Sequence, residues 1–112
     1  SANWNGRVSD LIRERIGKTK RKRMPILSMF YGIVVYMYAY DDRRHHYPHF
    51  HVEYAEFTAV IAIADGEILE GDLPRAKMKL VQAWLEIHRE DLVADWNLAV
   101  QGLPPQRIKP LE

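Results

Sequence analysis

Apolar positions recur with the period of a strand between residues 26 and 71, and with that of a helix from residue 73 onward. The stretch "ILSMF" (26–30) predicts a short strand. "YGIVVYMYAY" (31–40), rich in Tyr, Val and Ile, predicts a second. The second has two largely apolar faces, which suits a central position in a sheet. One carries Tyr31, Ile33, Val35, Met37 and Ala39, and the other Val34, Tyr36, Tyr38 and Tyr40. "HFHVEY" (49–54) alternates cleanly, with Phe50, Val52 and Tyr54 on one side and His49, His51 and Glu53 on the other. "FTAVIAI" (57–63) predicts a buried strand. The Asp65-Gly66 pair then predicts a hairpin turn, and "EILEG" (67–71) its return strand with Ile68 and Leu69 inward.

The period then changes. Asp72 stands where an N-cap belongs and Pro74 in the first turn. Met78, Val81, Trp84, Leu85 and His88 follow at helical spacing, and Leu92, Trp96, Ala99 and Val100 after them. Gly102, Pro104 and Pro105 end the helical region, and "HRED" (88–91) predicts a break within it. "QRIKPLE" (106–112) predicts a short strand. Strands followed by helices predict an α+β fold: a mostly antiparallel sheet of four to five strands over 26–71, packed by one long broken helix or two helices over about 73–101. A separate short helix is predicted over 4–16, from Val8, Leu11, Ile12 and Ile16.

Charge divides the chain. Residues 1–23 hold eight Lys and Arg against Asp10 and Glu14, a net +6, whereas residues 24–112 carry a net −5. The division predicts a basic N-terminal arm or extension over 1–23 and a single α+β domain over 24–112. The arm is the natural contact for RNA or DNA, since phosphate affinity is mainly electrostatic and the body repels phosphate. The same run also reads as a solvated tether or an address signal. The absence of cysteine removes disulfides, thiolate metal sites and a cysteine nucleophile. The uncharged run 26–40 is too short for a membrane helix, and no signal-peptide pattern is visible, so the expectation is a cytoplasmic protein with no membrane partner.

Four blocks in order, "MPILSMFYGIVVYMY", "HHYPHFHVEY", "DGEILEGDLP" and "WLEIHREDLVADW", resemble the small bacterial family called domain of unknown function 4160. The resemblance covers about residues 24–112 and makes Met24 the natural start of the domain. The family's proline-framed histidine signature falls on His45, Pro48, His49, Phe50 and His51. Tyr47 stands where the family usually has a first proline, and Ala55 where glycine is common. The resemblance implies no settled activity. It implies a gene placed beside that of a second small protein, in a toxin–antitoxin-like arrangement.

The histidine stretch carries the candidate chemistry. His49 and His51 lie one strand repeat apart on one face, Glu53 extends that face, and His45 reaches toward them from the loop. Three functional readings follow. His45, His49 and His51 can ligate a divalent transition metal. Two histidines can divide acid and base roles in a hydrolase or ribonuclease, with Arg43 and Arg44 holding phosphate and Tyr47 stacking on a base. The same residues can form a recognition surface without chemistry. Against these stands a polar strand face that meets only water. The leading expectation is an interaction module, one half of a toxin–antitoxin-like pair that contacts the small protein of the neighbouring gene, with a homo-oligomer as a further option. His88, on an apolar stripe beside the break, reads as structural. Glu86, Glu90, Asp91 and Asp95 read as a solvated face.

Overall fold

Two residues with positive φ close the first hairpin. In the computed structural model, which describes residues 25–39 and 47–112, Tyr31 has φ 51° and Gly32 φ 80°. Positive φ at both central positions marks a type I′ turn, whose twist matches that of the flanking strands. It joins β1 (Ile26–Phe30) to β2 (Ile33–Tyr36), with Phe30 opposite Ile33. β3 (His49–Tyr54) and β4 (Phe57–Ala62) meet through an equally short turn at Ala55-Glu56, where Ala55 has φ 53°. β5 (Ile68–Gly71) completes a five-stranded antiparallel sheet in the order β1-β2-β3-β4-β5. The sheet is followed by one long helix, α1 (Arg75–Val100).

The expected α+β architecture is therefore present, and the expected helix break falls at His88, where φ −114° and ψ 23° leave the helical region. His88 there packs against Trp84 (5.7 Å between ring centroids) and its Nδ1 lies 3.3 Å from Asp91 Oδ2. The helix ends in a Schellman motif: Gly102, at φ 77°, donates to Ala99 O, and Leu103 N donates to Leu98 O.

Several local expectations need correction. β2 covers only Ile33–Tyr36 of the expected 31–40: it starts late because Tyr31 and Gly32 are spent on the turn, and it ends at Tyr36. Asp65-Gly66 is not a two-residue hairpin. Ala62 N donates to Glu67 O and Gly66 N to Ala62 O, so the loop is longer, and Asp65 Oδ1 accepts Glu67 N within it. Ile68 is exposed and Leu69 only half-buried, because β5 is a short edge strand. Gly71 is nonetheless demanding: at φ 84° an added Cβ would lie 2.1 Å from Thr58 O. Asp72 does not cap α1. Its Oδ1 accepts Leu73 N, and Pro74 precedes the first helical residue with no side-chain cap. The tail forms no strand, although Ile108 N donates to Leu27 O on the outer edge of β1. The predicted helix at 4–16 lies outside the described residues.

The helix packs on one sheet face through Val81, Trp84, Leu85, Leu92 and Ala99, against Phe30, Ile33, Val35, Phe50, Val52 and Ile61. Trp84 is the hub. It meets Phe30 at 5.6 Å and Phe50 at 5.8 Å, and its Nε1 donates to Lys109 O at 2.8 Å. Burying a residue of this size removes on the order of 150–250 Å² from water, and the donated bond satisfies its one polar atom. Asp95 departs from the expected solvated face. It is buried, and Oδ1 accepts Gln106 N at 2.8 Å, which ties the tail to the helix. Burial pushes its carboxyl up from the usual aspartate range. The Gln106 N–H pulls the other way, and Asp91 adds to the rise.

Candidate functional site

The alternation of β3 sends His49, His51 and Glu53 to the sheet face opposite Phe50 and Val52. Register then decides their neighbours. His51 lies opposite Tyr36 on β2 and Val60 on β4, Glu53 lies opposite Val34 and Thr58, and His49 lies opposite Ala62. This face is not a polar surface in water: His49 is fully buried and His51 nearly so.

Aromatic rings contribute to that burial. His51 stacks nearly parallel on Tyr38 (4.4 Å, 8°) and on Tyr36 (5.6 Å, 11°). His49 meets His51 edge-on at 5.2 Å and Trp96 of α1 at 4.9 Å. A continuous run of rings thus joins the second half of the helix to β3 and the end of β2. Tyr36 OH donates to Glu53 Oε2 at 2.8 Å, which holds the carboxylate at the edge of the run. His49 Nδ1 lies 2.7 Å from Tyr47 O. A carbonyl only accepts, so Nδ1 carries the proton, and in the neutral ring Nε2 carries the lone pair. That bond fixes the residue just before Pro48. Pro48 O in turn accepts Ile63 N, so the entry to β3 is tied to the end of β4.

The structure therefore brings together His49, His51 and Glu53, with Tyr47 (exposed) at the rim through its carbonyl. Arg43, Arg44 and His45 lie outside the described residues, and so does His46. Among the described residues no group of three His, Cys, Asp or Glu side chains is placed to hold a metal ion. A metal held by His49 and His51 would need a further ligand from outside the described residues, where the sequence offers His45. Sequence reasoning had marked Tyr36 and Tyr38 as one stripe, but it had no means to pair them with His51. A connection of twelve residues separates β2 from β3 and hides the register. Trp96 was legible only as an apolar helix position, and its contact with His49 comes from tertiary packing.

No described helix is long and apolar enough to cross a membrane. No curated protein and no solved structure matches the chain. A family model described as a domain of unknown function, DUF4160, matches residues 32–97, which run from the first hairpin turn through Asn97 and make up more than half of the chain; the protein belongs to that family.

Proposed function

We propose that the protein is an interaction module, one half of a toxin–antitoxin-like pair, which binds the small protein of a neighbouring gene through the second face of its sheet. One observation supports this reading above others. On the sheet face opposite Phe50 and Val52, at the β1–β2 end away from His49 and Trp96, Ile26 and Met29 of β1 are 41% and 55% exposed. They lie directly opposite half-buried Tyr36 and Val34 of β2. Four apolar side chains on neighbouring strands form a patch that continues into the rings around His51. An apolar, aromatic centre low in charge is the composition of a protein-binding surface. A phosphate-binding surface would need cations, and the described part of this face has none.

The hydrolase reading draws less support. The imidazole of His49 is fully buried and its Nδ1 is engaged by a backbone carbonyl, an arrangement that suits a scaffold. Co-expression with the neighbouring gene product tests the proposal. The expected result is a complex that co-purifies through size exclusion. Ile26→Glu and Met29→Glu should each weaken it by about tenfold or more, since each brings an unpaired charge into an apolar contact. The absence of a complex, or a complex indifferent to both substitutions, overturns the reading.

A further inference from the structure

The segment that follows α1 is held to the body at a few points that lie close together. Gly102 turns the chain out of the helix at φ 77°, with nothing within 4 Å of where a Cβ would lie. Pro104 and Pro105 follow, and neither can donate a hydrogen bond. Three bonds then anchor Gln106 to Lys109. Gln106 N donates to Asp95 Oδ1 at 2.8 Å, Ile108 N donates to Leu27 O at 2.8 Å, and Lys109 O accepts Trp84 Nε1 at 2.8 Å. From residue 101 onward Ile108 is the one buried side chain. Asp95 is the unusual partner in this set. It is 2% exposed, and its Oδ2 is buried with no hydrogen-bond partner among the described residues. An ionised carboxylate placed so has one oxygen bare and its charge out of water, which is unfavourable. The charged group that acts on it is Asp91, of like sign and one turn earlier on α1. Arg107 and Lys109 beside the anchors are exposed.

We propose that residues 104–110 are a strap that lifts from α1 and β1 as one unit, with the Asp95 carboxyl as its proton-operated latch. Few buried contacts and a short set of anchors are the marks of a segment that opens well below the free energy of global unfolding. Lifting the strap returns Asp95 to water, where the ionised form is well solvated. Docking it buries the carboxyl and favours the neutral form. The docked strap therefore holds a proton that the lifted strap gives up. Burial raises the docked carboxyl above the usual aspartate range, the Gln106 N–H opposes the rise, and Asp91 adds to it. Between the ordinary value and the raised one, the strap tightens as pH falls and loosens as pH climbs. Below that window both forms are protonated, and pH has no further hold on it. Lifting also takes the partners from Leu27 O and Trp84 Nε1 and draws Ile108 out of the core. A bare carbonyl on an edge strand is where a further strand pairs, so the latch sets the pH range over which the outer edge of β1 is open. The device does not rest on what binds the second face of the sheet.

Native-state hydrogen exchange of the full chain, read by NMR from neutral pH down to pH 4 and corrected for the intrinsic pH dependence of exchange, tests this. The three probes are the Gln106 and Ile108 amides and the Trp84 indole N–H. Each should open about tenfold or more often than the amide of Leu85, deep in α1, because the strap lifts without the rest of the fold. The opening of all three should fall severalfold together as pH falls. Asp95→Asn should make that opening independent of pH. Asp91→Asn removes the neighbouring like charge and should move the fall to lower pH. Far-UV circular dichroism checks the fold of both variants, and should Asp95→Asn not fold, the shift in Asp91→Asn decides the matter. Probes that open no more often than Leu85 overturn the separate strap, as do three probes with different pH courses. Opening that stays constant or grows as pH falls overturns the latch, as does an Asp95→Asn chain that keeps the wild-type pH course.

Discussion

Ala55 sits in the tight turn between β3 and β4 at φ 53°, where an L-residue crowds its own carbonyl. The left-handed region costs a non-glycine residue roughly 1–2 kcal/mol, and glycine's extra freedom in the unfolded chain takes back roughly 0.5–1 kcal/mol of any gain. Ala55→Gly is therefore expected to stabilise the fold by about 0.5–1 kcal/mol. A thermal melt should show a rise of a few degrees. An unchanged or lowered midpoint would mean that the turn is not strained. The sequence pointed at this residue, since the family resemblance implies glycine where Ala55 stands. It did not point at Tyr31, whose φ of 51° belongs to the turn before β2 although its side chain reads as strand. Propensity describes a side chain, whereas a turn is imposed by the pairing of the strands around it. The same limit applies to the histidines. Alternation placed His49, His51 and Glu53 on one face correctly, but it could not say whether water or aromatic rings lay over them.

At the scale of elements, the least legible feature was how the C-terminal tail is held. "QRIKPLE" has the composition of an edge strand, but its three described bonds run to three different places: Gln106 N to Asp95, Ile108 N to Leu27 O, and Lys109 O from Trp84 Nε1. No local pattern announces such a strap, and Asp95 among its acidic neighbours looks like one more solvated carboxylate. Its burial has a pH consequence. The folded-state pKa is raised, so the folded chain takes up this proton at a higher pH than the unfolded chain does. In the window between the ordinary aspartate value and the raised one, stability from this group rises as pH falls, and it is lost again as pH climbs back through the raised value. Asp95→Asn keeps an oxygen for the Gln106 N–H and removes the titration. Denaturant midpoints measured from neutral pH down to pH 4 should show wild type gaining on Asp95→Asn as pH falls. Curves that stay parallel, or a wild type that loses ground, would show that the carboxyl is solvated in solution. By contrast, the helix break and the glycine stop were legible, because each rests on short-range chemistry: a non-helical His88 followed by acidic residues, and Gly102 ahead of two prolines.

For the whole molecule, charge is the one global property that the sequence states outright, and it separates two kinds of binding. The arm of residues 1–23 carries +6 and the remainder −5, while the apolar patch of Ile26, Met29, Val34 and Tyr36 lies on the remainder. Binding to nucleic acid should therefore belong to the arm and binding to proteins to the body. The full chain is expected to retain a labelled RNA at low salt, with affinity falling steeply as salt rises because each neutralised phosphate releases counterions. Residues 24–112 alone should retain none, while still binding the neighbouring gene product. Filter binding across a salt series, paired with size exclusion of the protein complex, reads both at once. RNA retention that survives removal of the arm would move the phosphate contacts to Arg43 and Arg44 beside the histidines, the only pair of adjacent cations in the remaining chain. That result would bring the histidine face back into consideration as a place of chemistry. Loss of RNA retention with the protein complex intact would leave that face as a surface for docking.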